Sequence, residues 1–265
     1  MRFGKTELVV CESYQALGVQ AARDVSATLR KLLECQPEVR IIFAAAESQA
    51  TFLDALALEP GIAWSRVVCF SMDEFWGPHL PEAVTCFHQL QRQLYGKVRP
   101  KAWFAPRFNA PSVDVEASVF ASTFEAHQPI DILCQGIGRS GHLALNEPGT
   151  TRFDDPRTVR VVEVCEESIR QLRDDPHFRD AADELKKGIT LTIPALMSAR
   201  NIFTMVPLAT KRPILEQILA LPEASESLPA SIIRNYPGRL YLDRDSCPAF
   251  VLETGESTPT ERKPI

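Results

Sequence analysis

Two short segments of this 265-residue chain carry the residue types of proton-transfer chemistry. The first is Phe70-Ser71-Met72-Asp73-Glu74-Phe75-Trp76-Gly77, in which two adjacent carboxylates stand between apolar neighbours. A carboxylate in a partly dry pocket has a raised pKa and can serve as a general base near neutral pH. The alternative is a helix cap, with Asp73 as N-cap and Glu74 in the first turn. Residue chemistry alone weighs the two evenly.

The second segment is Gly136-Ile137-Gly138-Arg139-Ser140-Gly141-His142-Leu143-Ala144-Leu145-Asn146-Glu147-Pro148-Gly149. Histidine exchanges a proton near neutrality, and a carboxylate beside it fixes its tautomer. A lone histidine is more often a hydrogen-bonded structural residue. The glycine-rich setting and the nearby Asn146-Glu147 tip the balance toward function. The segment also spells G-x-G-x-x-G, with the acidic Glu163 roughly 20 residues on, as in a dinucleotide-binding fingerprint. That reading fails, because Pro148, Gly149 and Pro156 interrupt the helix that must follow the third glycine.

Both segments follow apolar runs. Strands are expected at Leu8–Val10, Val39–Ala45, Arg66–Phe70, Ile130–Cys134, Thr158–Val164, Gly188–Ile193 and Ile202–Val206. Helical periodicity covers Tyr14–Cys35, Thr51–Leu58, Pro81–Tyr95, Val113–His127 and Lys211–Leu219, with a short helix reaching Arg200. Short apolar strands separated by helices are the pattern of βαβ units, and strands without polar alternation are buried on both faces. The expected fold is α/β, a three-layer sandwich with a mostly parallel, Rossmann-like sheet. No linker divides the chain, so residues 1–265 read as a single domain, with a polar tail at 255–265 expected to be flexible. Open α/β sheets bind ligands beyond the carboxyl ends of their strands, where both segments lie.

Composition narrows the function classes. Hydrophobic residues make up 45% and charged residues 24%, ordinary for a soluble globular protein. At this length roughly three quarters of the unfolded surface can be buried, so no disulfide or metal staple is required. The net charge is 29 − 34 = −5 and no Lys/Arg-rich run exists, which argues against a nucleic-acid partner. No apolar run is long enough for a membrane span and no signal peptide is evident. The seven cysteines are odd in number and form no C-x-x-C. Buried free thiols and a cytoplasmic location follow as expectations.

The two segments together resemble the glucosamine-6-phosphate deaminase/isomerase family. That family shows Met-Asp-Glu-(Tyr/Phe)-x-Gly and then Gly-(Ile/Val)-Gly-x-Asp-Gly-His-(Ile/Leu)-Ala-Phe-Asn-Glu-Pro. The resemblance runs from the second strand to about Asp243. The sister family, 6-phosphogluconolactonase, shares the fold and a Gly-His loop but generally lacks Asn-Glu-Pro. What the resemblance implies is conversion of a hexosamine 6-phosphate to a ketohexose 6-phosphate and ammonia. Asp73 matches the base that moves the C2 proton, His142 the group that opens the ring, and Glu147 the carboxylate that assists it. Lys211 resembles the lysine that meets the phosphate, and a phosphate-binding arginine falls at Arg170 or Arg173, with Arg173 preferred. Glu74, Ser48, Gly138, Arg139 and Gly141 are placed around the substrate. No metal or organic cofactor is implied, and a homo-oligomer is left open.

Three departures accompany the match. Ser140 replaces the family aspartate two residues before the histidine, and Ser140→Asp is expected to raise activity. The family's Gly-rich Thr/Ser loop becomes Ala44-Ala45-Ala46-Glu47-Ser48-Gln49-Ala50, where Ser48 and backbone N–H groups can meet an anion and Glu47 opposes it. Two like charges about 4 Å apart cost roughly 1 kcal/mol in water and about 4 at an effective dielectric of 20. Cys86-Phe87-His88 replaces Ser-Tyr-His. These departures keep alive a catalytically reduced sugar-phosphate-binding regulator and, behind it, a lactonase-type hydrolase.

Overall fold

A computed structural model describes residues 1–256. In chain order the elements are β1 (Arg2–Phe3), β2 (Thr6–Cys11), α1 (Tyr14–Cys35), β3 (Val39–Phe43), α2 (Ala50–Leu58), β4 (Val67–Ser71), β5 (Asp73–Phe75), α3 (Cys86–Leu90), α4 (Gly96–Val98) and β6 (Ala102–Phe104). There follow α5 (Val113–Ala126), β7 (Ile132–Gln135), β8 (Val159–Glu163), α6 (Glu166–Asp174), β9 (Lys187–Leu191), α7 (Ile193–Met197), β10 (Asn201–Val206), α8 (Arg212–Ala220), β11 (Gly238–Asp243) and α9 (Ala249–Glu256). The tail expected at 255–265 lies outside the described residues from 257 onward.

Eight strands form one sheet in the order β1-β2-β11-β10-β7-β3-β4-β6. Every pair in it is parallel except β1–β2. Successive side chains of a strand point to opposite faces, and here both faces are apolar. Ile42, Val68, Phe70, Leu133, Leu240 and Leu242 pack with α5, α7 and α8. Ile41, Phe43, Cys69, Ile132, Phe203 and Tyr241 pack with α1 and α2. Helices therefore cover the sheet on both sides, as the sequence pattern indicated.

Two of the expected strands do not join this sheet. β8 and β9 pair antiparallel with each other, and β5 pairs antiparallel with β9, in a separate three-stranded sheet. β8 is only partly buried (Val159 and Val162 in, Arg160 and Val161 half-buried, Glu163 out), which suits a sheet covered on one face. The expected helix at Pro81–Tyr95 is also broken. A 3-10 turn at Glu82–Val84 ends at the extended Thr85, whose Oγ1 accepts the His88 N–H at 3.0 Å and starts α3.

The loops after β3 and β7 meet at the point where strand order reverses, β4 lying on one side of β3 and β7 on the other. That is where an open α/β sheet leaves a crevice.

α1 lies so close to α2 that a Cβ on Gly18 would stand 2.6 Å from the Thr51 backbone carbon. Gly18→Ala should therefore destabilise the protein by about 1–3 kcal/mol through overpacking, although alanine gains about 1 kcal/mol in an isolated helix. Urea midpoints of the two chains check this; an equal or higher midpoint for the alanine chain contradicts it.

Candidate active site

Asp73 stands in β5, where it pairs with Thr190 of β9. It is neither a loop residue nor a helix cap. Only Met72 separates β4 from β5, so the chain leaves the main sheet and turns the Asp73 side chain into a cleft at the carboxyl ends of the parallel strands. His142 lines the same cleft, of about 670 Å³. The convergence expected from the two segments is therefore present.

Burial pushes the Asp73 carboxyl up to about 7, opposed by the nearby His142. A base of that pKa is matched to proton transfer near neutrality.

The imidazole is held from behind. Nδ1 of His142 lies 3.0 Å from Oε1 of Glu147, 2.8 Å from Ser140 Oγ and 3.1 Å from Ser168 Oγ. Ser140 donates its proton to Glu147 Oε2 at 2.7 Å and Ser168 donates to Glu147 Oε1. Both hydroxyls are therefore acceptors toward Nδ1, which must carry the hydrogen. This network assigns the tautomer and leaves Nε2 as the basic nitrogen for the cleft. Burial alone would raise the Glu147 carboxyl, but His142 and the two serines outweigh it and hold it down at about 2. Gly138 makes room for the ring: a Cβ there would lie 2.0 Å from the imidazole. Gly141 takes a left-handed turn at φ +85° and packs against Leu228 and Ile214 rather than facing the cleft. Asn146 is structural, donating to the carbonyls of Leu143 at 2.9 Å and Leu191 at 2.8 Å, which ties the loop to β9.

Ser140 thus transmits the carboxylate of Glu147 to the ring without an aspartate. The family motif carries an aspartate and the glutamate together; here Ser140 gives its proton to Glu147, so Ser140→Asp would remove that donor and set a second carboxylate beside it.

Glu74 is not a cleft residue. Its carboxylate accepts the backbone N–H groups of Phe75, Cys86 and Phe87 at 2.8–2.9 Å and so fastens the start of α3. Burial pushes its carboxyl up to about 8 against those three donors. Arg173 is likewise corrected: it is exposed, pairs with Asp183, and lines neither chamber of the cleft. Arg170 pairs with Glu167. The inward face of α6 is Ser168 and Gln171, with Asp175 just past its end. A spacing of three and then four places those residues together and turns the arginines away.

Lys211 and Ser48 do line the cleft, and Arg139 lines its outer extension of about 330 Å³. Lys211 follows Leu208, which sits at the unusual φ of +82° and is held through its N–H by the buried Asp243 at 3.1 Å. The Lys211 ammonium donates to Gln171 at 3.2 Å, and burial, reinforced by Arg139, lowers it to about 7. Ser168, Gln171 and Asp175 went unnoticed in the sequence, because α6 is too polar to announce a buried face. Their helical spacing was the available signal. Among the described residues, no three His, Cys, Asp or Glu side chains group as metal ligands, and no helix is long and apolar enough to cross a membrane.

Folded Asp73 keeps its proton up to about pH 7, and an unfolded aspartate only to about 4. The folded state binds more protons between those limits, so stability falls as pH rises through that window. Asp73→Asn removes the buried charge and should stabilise the protein at pH 8, by up to about 4 kcal/mol. Thermal melts at pH 4 and pH 8 test this: the gain should appear at pH 8 and vanish at pH 4, and a lower melting point at pH 8 contradicts it.

Residues 12–242 match the family model described as glucosamine-6-phosphate isomerases/6-phosphogluconolactonase. The chain is 28% identical over 235 residues to a glucosamine-6-phosphate deaminase of Shouchella clausii (strain KSM-K16), covering 87% of this chain and 91% of that one. It is 27% identical over 190 residues to the enzyme of the same name from Staphylococcus aureus (strain JH9), covering 70% and 73%. Among solved structures, a monomeric glucosamine-6-phosphate deaminase superposes with a TM-score of 0.79 at 21% identity, over 91% of this chain and 98% of that chain. A 6-phosphogluconolactonase from Thermotoga maritima superposes with a TM-score of 0.70 at 17% identity, over 90% and 99%. At such identities the two structures speak for the fold, and the family assignment rests on the sequence match: the chain belongs to the glucosamine-6-phosphate isomerase/6-phosphogluconolactonase family.

Proposed function

We propose that this protein is an amino-sugar deaminase/isomerase, converting a hexosamine, as the 6-phosphate ester or the free sugar, to the corresponding ketohexose and ammonia. The observation that carries this reading is the shared cleft of Asp73 and His142, with the imidazole hydrogen fixed on Nδ1. Nε2 of His142 takes the O1 proton and returns a proton to O5 as the C1–O5 bond breaks. Asp73 then removes the C2 proton as the substrate ammonium gives a proton to O1, forming an enolamine, and delivers its proton to C1, giving a protonated ketimine at C2. Water adds at C2 and ammonia leaves, so one water is consumed for each ammonia released. Glu147 stabilises the imidazolium formed in the first step and remains ionised throughout, which its low pKa of about 2 supports. The lactonase alternative needs no C2 base and leaves Asp73 without a task. The reduced-regulator reading was motivated by Ser140 and Glu47; the Ser140–Glu147–His142 network speaks against the first motive, and Glu47 remains as the second.

Ammonia and ketose release from a panel of free and 6-phosphorylated hexosamines tests the proposal. Turnover by the native chain should fall at least a hundredfold in Asp73→Asn and in His142→Gln, in line with the loss of a general acid–base group. Native turnover no greater than that of Asp73→Asn on every sugar would overturn it. Ser140→Asp should lower kcat at least tenfold; an increase would show that the site tolerates a second carboxylate against Glu147.

A further inference from the structure

The outer end of the cleft, remote from Asp73, holds more negative than positive side chains. Its charged lining is Lys211 and Arg139 against Glu47, Asp174 and Asp175. Arg139 is already engaged by Asp174. The Glu47 backbone N–H, at the turn where an incoming anion would find a donor, already donates to Asp175 Oδ2 at 2.9 Å. The other oxygen of Asp175 accepts the His177 N–H at 2.9 Å, so this buried carboxylate is fixed in place. Glu47 lines the same space, and no hydrogen bond to its carboxylate is found among the described residues. Burial and then Asp175 raise its pKa, while Arg139, Lys211 and Arg179 oppose the rise. The cleft thus brings its own carboxylate to the place that a phosphate would take. The arginines that the resemblance offered for that phosphate, Arg170 and Arg173, lie on the outer face of α6 in exposed pairs.

We propose that Glu47 and Asp175 are specificity-determining residues that set the outer end of the cleft against a phosphomonoester dianion and in favour of the uncharged hydroxymethyl end of a free 2-amino-2-deoxyaldose. This rests on reading the inner chamber as that of an amino-sugar deaminase/isomerase. The physical reason is twofold. A dianion brought between two carboxylates meets like charge at short range in a partly dry site. Of the cations it would meet, Arg139 is paired through one nitrogen with Asp174, its buried Nε being left without a partner, and Lys211 donates to Gln171 in a buried position that disfavours its charge. A hydroxyl, by contrast, can donate to Glu47 and accept from Lys211 or Ser48, satisfying each without adding charge. Specificity of this kind works by repelling the competitor as much as by holding the substrate.

The test uses the full chain and two unreactive open-chain probes, 2-amino-2-deoxyglucitol and its 6-phosphate, titrated calorimetrically at pH 7.5. The neutral-ended polyol should bind at least tenfold tighter than the phosphate ester. In the isosteric double variant Glu47→Gln/Asp175→Asn that ratio should move at least tenfold toward the phosphate. Glu47→Gln alone, which breaks no hydrogen bond described above, should move it at least threefold and covers the case in which the double variant fails to fold. Tighter binding of the 6-phosphate by the native chain, binding of neither probe, or an unchanged ratio in folded Glu47→Gln would each overturn the proposal. Because the probes do not react, a failure of the deamination reading shows separately, as absent ammonia release in the turnover panel.

Discussion

The site depends on one buried contact, the carboxylate of Glu147 against Nδ1 of His142. A carboxylate removed from water is costly unless donors replace its hydration. Here an imidazole N–H and two serine hydroxyls supply those donors. They come from separate parts of the chain: Ser140 and His142 from the loop after β7, Ser168 from α6. Asn146 locks the same loop to β9, and Gly138 leaves the volume the ring occupies. Orientation of the imidazole is thus a property of the assembled layers and belongs to no single segment.

The same physics explains why neighbouring groups move in opposite directions. Asp73 and Lys211 are both buried with few compensating partners, and burial disfavours whichever form is charged. One rises and the other falls, each to about 7. Glu147 is also buried, but its donors reverse the sign. A carboxylate with donors is fixed as an anion, and one without them can exchange a proton. That difference separates a carboxylate held as an anion against His142 from a carboxyl able to exchange a proton near neutrality, although the sequence presents both as plain acidic side chains.

The small antiparallel sheet is the part of the fold that makes this possible. Had β5, β8 and β9 extended the main sheet, Asp73 would have lain along a strand edge. Pairing β5 with β9 turns the chain after Met72 and brings Asp73 over the carboxyl ends of β3 and β7. The sheet is held to the histidine loop by Leu145, whose N–H donates to Thr190 at 3.2 Å, and by the close approach of Gly188 to its side chain.

Local pattern was enough for much of this molecule. Unbroken apolar runs gave the both-face-buried strands β3, β4, β7 and β10, and helical periodicity gave α1 to its first and last residues. Residue chemistry, helped by the family resemblance, singled out Asp73, His142, Glu147, Ser48 and Lys211, because glycine-rich or acidic turns after buried strands are visible without coordinates. Partnership was not visible. Glu74 stands beside Asp73 in sequence yet points the other way along a strand and serves α3. Arg173 was preferred over Arg170 from the resemblance yet lies on the outer face of a helix too polar to be recognised, while Ser168 and Gln171 take the inner one. Sequence spacing determines which residues share a face once the element is known. Which face meets the cleft, and which charge meets which, is decided by packing between elements, since those contacts join residues of different elements, in some cases more than a hundred positions apart, as Glu47 and Asp175 are.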